Sequence, residues 1–409
     1  MNEVVKDVML ADVVIDETLY PRKQFDQDAV NRYRQAIDNL PPIEITHENY
    51  LIDGYHRLMA HRIEQRETIR ATVEELDRDS VLWESAKRNA SHGLQLSQAD
   101  KSVLGRKFFE QGKSIDEIAG VLSVTARAIR DWTKALREAA DEERDQKIID
   151  MYLACNTWET IAEATGYENE SGARNRFDAI RKNGKLSEFT VPASLQLYNL
   201  WNFHDNDDRY GLNYPGRIPG QIIENLLYYY TEPFDTVVDP MAGGGTTVDV
   251  CKAMYRRYRA YDINPVREDI KKHDATTGLH PDSKNCNFIF LDPPYWKQKR
   301  GSYSGDETNV ANLELNEFYE MMDGIFVSAK KTLADGGYIG VIIGPTQEGG
   351  KLYDHAFELT KLLEKHFQFE NRIIVPYTTQ QHGGAYVNNA KENKNMLYLY
   401  RDLVVFRNG

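Results

Sequence analysis

Residues 236–247 read TVVDPMAGGGTT, and this stretch decides the fold class of the C-terminal half. Its first residues predict a short buried strand that ends at Asp239, and the following VDVCKAMYRR predicts a helix. Three adjacent glycines let the backbone turn tightly and approach a ligand, and the helix start offers free N–H groups. A second strand ends at Asp262, 23 residues after Asp239, a spacing suited to a carboxylate that binds ribose hydroxyls. Taken alone, such a turn is also compatible with many other α/β folds.

A second motif, LDPPYW at 291–296, follows the apolar run 288–290. The pattern predicts a buried strand that ends at Asp292, and ligands of doubly wound sheets bind at the carboxyl ends of strands. The two prolines make the backbone there rigid, and Tyr295 offers a flat face on which a base can stack. The alternative is a proline-terminated strand with a capping aspartate.

Together the two motifs resemble the S-adenosylmethionine-dependent DNA amino-methyltransferases, whose motifs are written DPFxGSGTT and [DNS]PP[YFW]. The resemblance covers about 191–409 and implies a Rossmann-like methyltransferase sheet, with 216–235 as the cofactor-side helix and 395–408 as the last strands. Met241 and Gly244 depart mildly from the motif, in place of Phe and Ser. The implied cofactor-binding residues are Asp239, Pro240, Met241, Ala242, Gly243, Gly244, Gly245, Thr246, Thr247, Asp262 and Asp274. The implied catalytic residues are Asp292, Pro293, Pro294 and Tyr295.

The resemblance implies methyl transfer to an exocyclic amino group. Hydrogen bonds from both amino protons, to Asp292 and to the Pro293 carbonyl, would localise the nitrogen lone pair for direct attack. The base must leave the duplex to reach the site. The motif holds no cysteine nucleophile, which disfavours cytosine C5 methylation. We favour N6 of adenine, because the motif begins with Asp; N4 of cytosine and guanine in structured RNA stay open.

Residues 91–186 are predicted to be entirely helical and to contain two helix-turn-helix candidates. In the first, 113–122 with a Ser114 cap precedes the basic helix 125–137. The second spans 157–182. The alternative for both is an ordinary helical hairpin with a solvated basic face. The candidate DNA-binding residues are Arg127, Arg130, Lys134, Arg174, Arg176 and Arg181.

The N-terminal part, 1–90, mixes short strands and helices and is predicted to be an α+β domain. LIDGYHRLMAHR at 51–62 and the residues around it resemble the ParB/sulfiredoxin-like superfamily over about 5–135. Tyr55 stands where sulfiredoxins have a cysteine, so that redox chemistry is disfavoured. A helix start after a tight turn suits an anion, which makes His56 and Arg57 candidates for contact with a phosphate or a nucleotide.

The sequence therefore predicts a three-domain α/β protein, divided at 1–90, 91–186 and 191–409, whose partner is double-stranded DNA. The net charge of −13 is offset locally by the basic helices. The sequence has no apolar run of about 18 residues, the length that a membrane span needs. Its three scattered cysteines suggest neither a disulfide framework nor a zinc cluster. A bacterial cytoplasm, phage or prophage origin, a restriction-modification context and a homodimer are expectations. We expect the segments 297–312 and 377–395 to be mobile loops over the DNA or ordinary surface loops. RNA methylation and a non-catalytic DNA-binding regulator are the competing functions.

Overall fold

The computed structural model describes residues 5–21, 26–91, 96–182, 191–203, 207–214, 216–296, 313–348, 351–377 and 383–409. The chain forms two compact units, Met1–Glu143 and Arg144–Gly409. Within the described ranges, no helix combines the length and the apolarity needed to cross a membrane.

The first unit contains a four-stranded sheet in the order β1-β4-β2-β3. β2 and β4 are parallel, whereas β1 pairs antiparallel with β4 and β3 pairs antiparallel with β2. Gly54 adopts a φ of +103° between β3 and α2, and a Cβ there would lie 2.6 Å from Ile43 Cγ2, so this tight turn requires glycine. The elements of the sheet region are β1 (Val5–Met9), α1 (Gln27–Gln35), β2 (Ile43–Thr46), β3 (Leu51–Asp53), α2 (Tyr55–Ile63) and β4 (Thr68–Glu74), with 3-10 turns at Glu17–Leu19 and Ile37–Asn39.

Helices complete the first unit, and the predicted helix-turn-helix is among them. A capping box of Ser114 and Glu117 starts α5, and Ser123 in the left-handed conformation ends it, so the next helix turns away sharply. Ile118 and Ile129, one on each helix of the pair, are fully buried in their common core. The helices are α3 (Arg78–Ser91), α4 (Gln98–Glu110), α5 (Ile115–Leu122), α6 (Ala126–Trp132) and α7 (Lys134–Leu153), whose last turns belong to the second unit.

The second unit is built on a seven-stranded sheet in the order β12-β13-β9-β8-β5-β6-β7. The strands are β5 (Thr236–Asp239), β6 (Arg257–Asp262), β7 (Lys271–Lys272), β8 (Cys286–Leu291), β9 (Leu333–Ile343), β12 (Gln368–Pro376) and β13 (Tyr400–Arg407), with the separate hairpin β10 (Thr346–Glu348) and β11 (Lys351–Tyr353). The helices are α8 (Trp158–Thr165), α9 (Glu170–Lys182), α10 (Gly220–Tyr230), α11 (Thr246–Ala253), α12 (Leu315–Thr332), α13 (His355–Leu363) and α14 (Gly384–Glu392), with 3-10 turns at Ala275–Thr277 and Pro281–Ser283.

Strand direction in this sheet fixes where a ligand can bind. β6, β5, β8 and β9 are parallel, and β13 runs antiparallel between β9 and β12. From β5 the chain proceeds to β6 and β7 on one side and then returns to β8 on the other side. The crevice between the carboxyl ends of β5 and β8 is therefore the switch point of the topology, where open α/β sheets bind their ligands.

The two faces of the sheet are buried in separate cores because strand residues alternate sides. On one face, Val237 and Phe288 pack in a core with residues of α8, α9, α10 and α11. On the other face, Val238 and Ile289 pack with α12 and α13. The second helical hairpin, α8 and α9, thus shares a core with the sheet. The predicted boundaries at 90 and 186 stay a prediction, and most of the predicted linker 182–185 lies outside the described residues.

Candidate active site

The glycine loop turns between β5 and α11 and is closely covered. Gly243 and Gly245 adopt φ values of +47° and +84°, a region that favours glycine. A Cβ at Gly244 would lie 2.8 Å from Tyr214 Cβ and 3.1 Å from the Leu212 carbonyl oxygen. The loop therefore has no room for side chains at these positions. The N-terminus of the following helix supplies backbone N–H groups at the same edge of the sheet.

Asp239 stabilises the conformation of the glycine loop through hydrogen bonds. Its carboxylate accepts hydrogen bonds from the Met241 N–H at 3.0 Å and the Thr247 hydroxyl at 2.6 Å. The side chain is buried, and burial raises the pKa of Asp239 to about 7. Both carboxylate oxygens are thus engaged within the loop and the residue is 4% exposed, so Asp239 shapes the predicted cofactor site and its oxygens face protein groups.

Asp262 lies beside the loop at the end of the neighbouring strand β6. It accepts hydrogen bonds from the Gly243 N–H and the Asn264 N–H, each at 2.9 Å. The N–H of His273 donates a hydrogen bond to the Asp262 carbonyl oxygen at 2.9 Å, and this places the next residue, Asp274, near Asp262. Asp274 caps the turn that follows and accepts from Thr276. The loop and the two predicted acids therefore lie at one edge of the sheet.

Asp292 begins the DPPYW tip directly after β8. The pairing of Val238 with Ile289 places this tip next to the glycine loop. Burial raises the pKa of Asp292 to about 7, although Arg401 opposes that rise. Tyr295 in the tip also opposes the rise in the pKa of Asp292, and burial raises the pKa of the Tyr295 hydroxyl well above its usual value. The structure thus brings the two sequence motifs together.

Arg401 and Tyr377 lie at the same edge of the sheet as the tip, and the sequence patterns did not indicate either. Arg401 is 6% exposed on β13, and its guanidinium lies 4.7 Å from the Tyr377 ring centre. Gly344, after β9, leaves space for both tyrosines: a Cβ there would lie 3.3 Å from Tyr295 Cε2 and 3.5 Å from the Tyr377 hydroxyl. Only strand pairing brings these residues to the tip, so no local signal reveals them.

Trp296, the last residue of the tip, is anchored in the core. It is buried, and its Nε1 donates to the Leu313 carbonyl at 2.8 Å. Its ring packs against His355, whose two ring nitrogens lie 3.0 Å from the Tyr319 hydroxyl and 2.8 Å from the Thr346 hydroxyl. Burial lowers the pKa of His355 to about 4, so this histidine is neutral and bridges α13, α12 and β10.

The basic residues of the two helical hairpins differ in their surroundings. Arg127, Arg130 and Lys134 in the first unit are exposed. On α9, by contrast, Arg176 forms a two-pronged ion pair with Asp145 at 2.7 and 2.8 Å. Arg174 and Arg181 lie over the rings of Trp158 and Phe234, at 5.5 and 5.1 Å. The α9 residues therefore have contacts within the unit, and their role in DNA binding stays a prediction.

The two N-terminal candidates are likewise engaged. His56 is buried, and its Nε2 accepts from the Asp26 N–H at 3.2 Å. Arg57 pairs with Asp53 at 2.8 Å. Phosphate contact by these residues stays a prediction, and a phosphate would have to compete with Asp53. The predicted loop 297–312 lies outside the described residues, whereas 377–395 is described apart from 378–382 and includes α14.

The strand order and the loop at its switch point define a Rossmann-like methyltransferase fold for the second unit. Residues 129–273 match the family model described as DNA methylase. This range includes the glycine loop and Asp262 and ends before Asp274 and the DPPYW tip. The match confirms the resemblance to DNA amino-methyltransferases and supports S-adenosylmethionine as the cofactor. No curated protein matches the chain.

Solved structures similar to the chain come from several classes of protein. TrmN from Thermus thermophilus has 16% identity and a TM-score of 0.31, covering 47% of this chain and 49% of its own. ParB from Caulobacter crescentus, complexed to the centromeric parS site, has 15% identity and a TM-score of 0.26, covering 44% and 92%. Sulfiredoxin from Arabidopsis thaliana has 18% identity and a TM-score of 0.18, covering 20% and 96%. The chain thus spans about half the length of the TrmN structure, and these scores support no conclusion about activity.

Proposed function

We propose that the protein is an S-adenosylmethionine-dependent DNA methyltransferase that modifies the exocyclic amino group of a flipped base, specifically N6 of adenine. One observation carries the proposal. The glycine loop and the DPPYW tip, which are about 50 residues apart in sequence, meet at adjacent strand ends of the sheet. A cofactor at the loop and a base at the tip would therefore lie side by side.

The loop and the acids beside it fit the cofactor. Asp262 lies at the end of β6, where a carboxylate can accept hydrogen bonds from ribose hydroxyls. The glycines let a ligand approach the backbone closely, and the hydrogen bonds of Asp239 stabilise the conformation of the loop. When bound, S-adenosylmethionine supplies an electrophilic methyl group on a sulfonium sulfur.

The tip would hold and activate the base. In its ionised form Asp292 accepts one amino proton in a hydrogen bond, and the Pro293 carbonyl accepts the other. The lone pair of the amino nitrogen is otherwise delocalised into the ring, and these two hydrogen bonds localise it on the nitrogen. Tyr295 offers its face for stacking. The initial Asp of the motif supports adenine, because in the resembling family it is associated most often with N6 of adenine; N4 of cytosine is the alternative outcome of the test.

DNA is the proposed partner, and α6 is the proposed contact with it. Arg127 and Arg130 are exposed on the second helix of a helix-turn-helix, the element that enters the major groove in such motifs. Each phosphate contact would release counterions and make binding sensitive to salt. A cytoplasmic setting and phage origin belong to the same proposal. Nucleotide binding by the first unit and a homodimer stay predictions.

The test is nucleoside mass spectrometry of unmethylated duplex DNA of mixed sequence after incubation with the protein and S-adenosylmethionine. We expect N6-methyladenine from the wild type and none from Asp292→Ala. Asp335→Asn, which changes an exposed carboxylate on β9 far from the tip, is the matched control and should keep full activity.

The possible results separate the parts of the proposal. N4-methylcytosine in place of N6-methyladenine would overturn the base and keep the reaction class. Methylation of structured RNA in a parallel reaction, with no product on DNA, would overturn DNA as the substrate. No methylated base on either nucleic acid would refute the enzyme proposal, and a folded protein that S-adenosylhomocysteine also fails to stabilise would favour a regulator with a decayed cofactor site.

A further inference from the structure

A short segment, 210–214, lies directly on the glycine loop, and we call it the strap. The Leu212 N–H donates a hydrogen bond to the Gly244 carbonyl oxygen at 2.9 Å. A Cβ at Gly243 would lie 3.1 Å from Tyr214 Cε1, so the Tyr214 ring packs closely on the backbone of the loop. The strap precedes α10 and the loop follows β5, so two segments that are distant in sequence meet at the predicted cofactor site.

Asp249 binds the strap to α11, the helix that follows the loop. Its Oδ2 accepts hydrogen bonds from the Gly211 N–H and from Arg267 Nη1, each at 2.8 Å. Its Oδ1 accepts from Arg267 Nη2 at 2.7 Å, so the ion pair is two-pronged. Charge-assisted and two-pronged bonds of this kind are among the stronger hydrogen bonds of proteins. The strap N–H is therefore bound by a carboxylate whose position Arg267 fixes.

Arg267 also connects this carboxylate to the loop and to the segment after β6. Its Nη1 lies 3.4 and 3.5 Å from the carbonyl oxygens of Gly244 and Gly245. It forms a second two-pronged pair with Asp269, at 2.9 and 2.8 Å. The Arg267 side chain is 15% exposed, and those of Asp249 and Asp269 are 22% and 24% exposed, so water screens these pairs only in part. Removing Arg267 would remove the cation that both carboxylates share.

The strap lies beside the place where the cofactor is proposed to bind. Gly243, against which Tyr214 packs, also donates its N–H to Asp262 at 2.9 Å. Asp262 is the carboxylate that is proposed to bind ribose hydroxyls. A ligand held by Asp262 at the glycine backbone would therefore lie next to the Tyr214 ring.

We propose that Asp249 and Arg267 are positioning residues of the cofactor site: they fix the strap on the glycine loop, so that Tyr214 forms a wall of the site and slows release of the bound cofactor. This inference rests on the proposed function for the identity of the ligand, whereas the ion pairs and the strap contacts do not depend on it. Asp249 and Arg267 act through the strap and the loop and take no part in methyl transfer.

The first test measures opening of the strap in the ligand-free protein by hydrogen exchange with mass spectrometry. The amides of Gly211 and Leu212 exchange when their bonds to Asp249 and Gly244 open. We expect exchange to be roughly tenfold faster in Asp249→Asn and Arg267→Met, because a neutral bond replaces a charge-assisted one or the carboxylate loses its partner. Arg267→Lys keeps the charge but not both two-pronged pairs, so its exchange should be intermediate.

Lys252→Met is the matched control for these variants. Lys252 Nζ donates to Asp269 at 2.8 Å, so this change removes an ion pair of the same charged cluster. It leaves the bonds between Gly211, Asp249 and Arg267 in place. Strap exchange and ligand affinity should therefore stay within about twofold of the wild type, as is usual for a partly exposed pair.

The second test measures binding of S-adenosylhomocysteine by calorimetry and its dissociation by stopped flow. In Asp249→Asn and Arg267→Met we expect the Kd to rise about tenfold, mainly through faster dissociation. The KM for S-adenosylmethionine should rise to a similar extent while kcat at saturation stays near the wild-type value.

Gly211→Ala provides a variant that changes no charge. Gly211 adopts a φ of +73°, and a Cβ there would clash with Thr246 Oγ1, so alanine should displace the strap directly. It should reproduce the faster exchange and the weaker binding. This variant keeps the test decisive if the charge variants do not fold, as judged by circular dichroism.

The possible results separate this inference from the proposed function. Unchanged strap exchange in the folded charge variants would overturn the inference, as would faster exchange with unchanged affinity for S-adenosylhomocysteine. An equal loss of affinity in Lys252→Met would also overturn it, because any weakening of the fold would then have the same effect. Weaker binding confined to the strap variants, in a protein that methylates no base, would support the inference and count against the proposed reaction. A wild type that does not bind S-adenosylhomocysteine would refute the proposed function and with it the role of the strap.

Discussion

Replacement of Asp239 by alanine tests whether this residue shapes the glycine loop or contacts the cofactor. The change leaves two donors without acceptors, the part-buried Met241 N–H and the buried Thr247 hydroxyl. Each unsatisfied buried group costs about 1–3 kcal/mol, so the free energy of unfolding of the second unit should fall by roughly 2–6 kcal/mol, and by less where water reaches the Met241 N–H. Asp239→Asn keeps an acceptor for the Met241 N–H and removes a buried charge, so its unfolding free energy at pH 8 should stay within about 1 kcal/mol of the wild type.

The pKa shift of Asp239 gives the same prediction a pH dependence. Burial raises its pKa to about 7 in the folded protein, above the ordinary aspartate value of 3.8. The folded state therefore binds more protons between about pH 4 and pH 7, and the stability contributed by this group is lost as the pH rises through that window. Asparagine does not titrate, so Asp239→Asn does not lose this contribution to stability as the pH rises. Relative to the wild type, the asparagine variant should therefore be more stable at pH 8 than at pH 5.

The assay combines urea unfolding, followed by tryptophan fluorescence at pH 5 and pH 8, with calorimetric binding of S-adenosylhomocysteine. Asp262→Ala serves as the comparison, because Asp262 is proposed to contact the cofactor directly. Asp239→Ala should lose stability and cofactor affinity together. Asp262→Ala should lose affinity with a smaller change in stability, because the N–H groups of Gly243 and Asn264 that it leaves are part-buried and exposed, so water can replace the carboxylate. Wild-type stability in Asp239→Ala with abolished binding would refute the supporting role and indicate direct cofactor contact.

Three further predictions concern the helices, the loop and the tip. Replacing Arg127 and Arg130 together by Gln should weaken duplex binding and reduce the magnitude of the slope of log affinity against log salt by about 2, measured by fluorescence anisotropy. Gly244→Ala places a Cβ 2.8 Å from Tyr214 Cβ, so cofactor affinity should fall at least about tenfold in calorimetry while the fold is kept. His355→Ala removes both hydroxyl contacts and the packing against Trp296, so the unfolding free energy should fall by about 2–4 kcal/mol in urea titrations.

The sequence by itself determined the two motifs and the strand ends on which they lie. An apolar run followed by glycines or prolines has few local solutions, so TVVD and FIFL were recognisable as strands, the first ending at Asp239 and the second directly before Asp292. The capping box at Ser114 likewise fixed the start of α5 from neighbouring residues alone. Each of these features depends on interactions within a few residues, and the pattern therefore records them.

Tertiary structure decided which residues surround the motifs. Arg401 reaches the edge of the sheet where the DPPYW tip lies only because β13 inserts between β9 and β12, and no residue near Arg401 in sequence signals that pairing. Basic residues of α9 looked equivalent to those of α6, yet Arg176 pairs with Asp145 of α7. The pattern did not distinguish Asp239 from a cofactor ligand, whereas the structure shows that it is buried and that both its oxygens accept hydrogen bonds within the loop. Partners of charged and polar groups are set by packing between distant segments, which local periodicity does not encode.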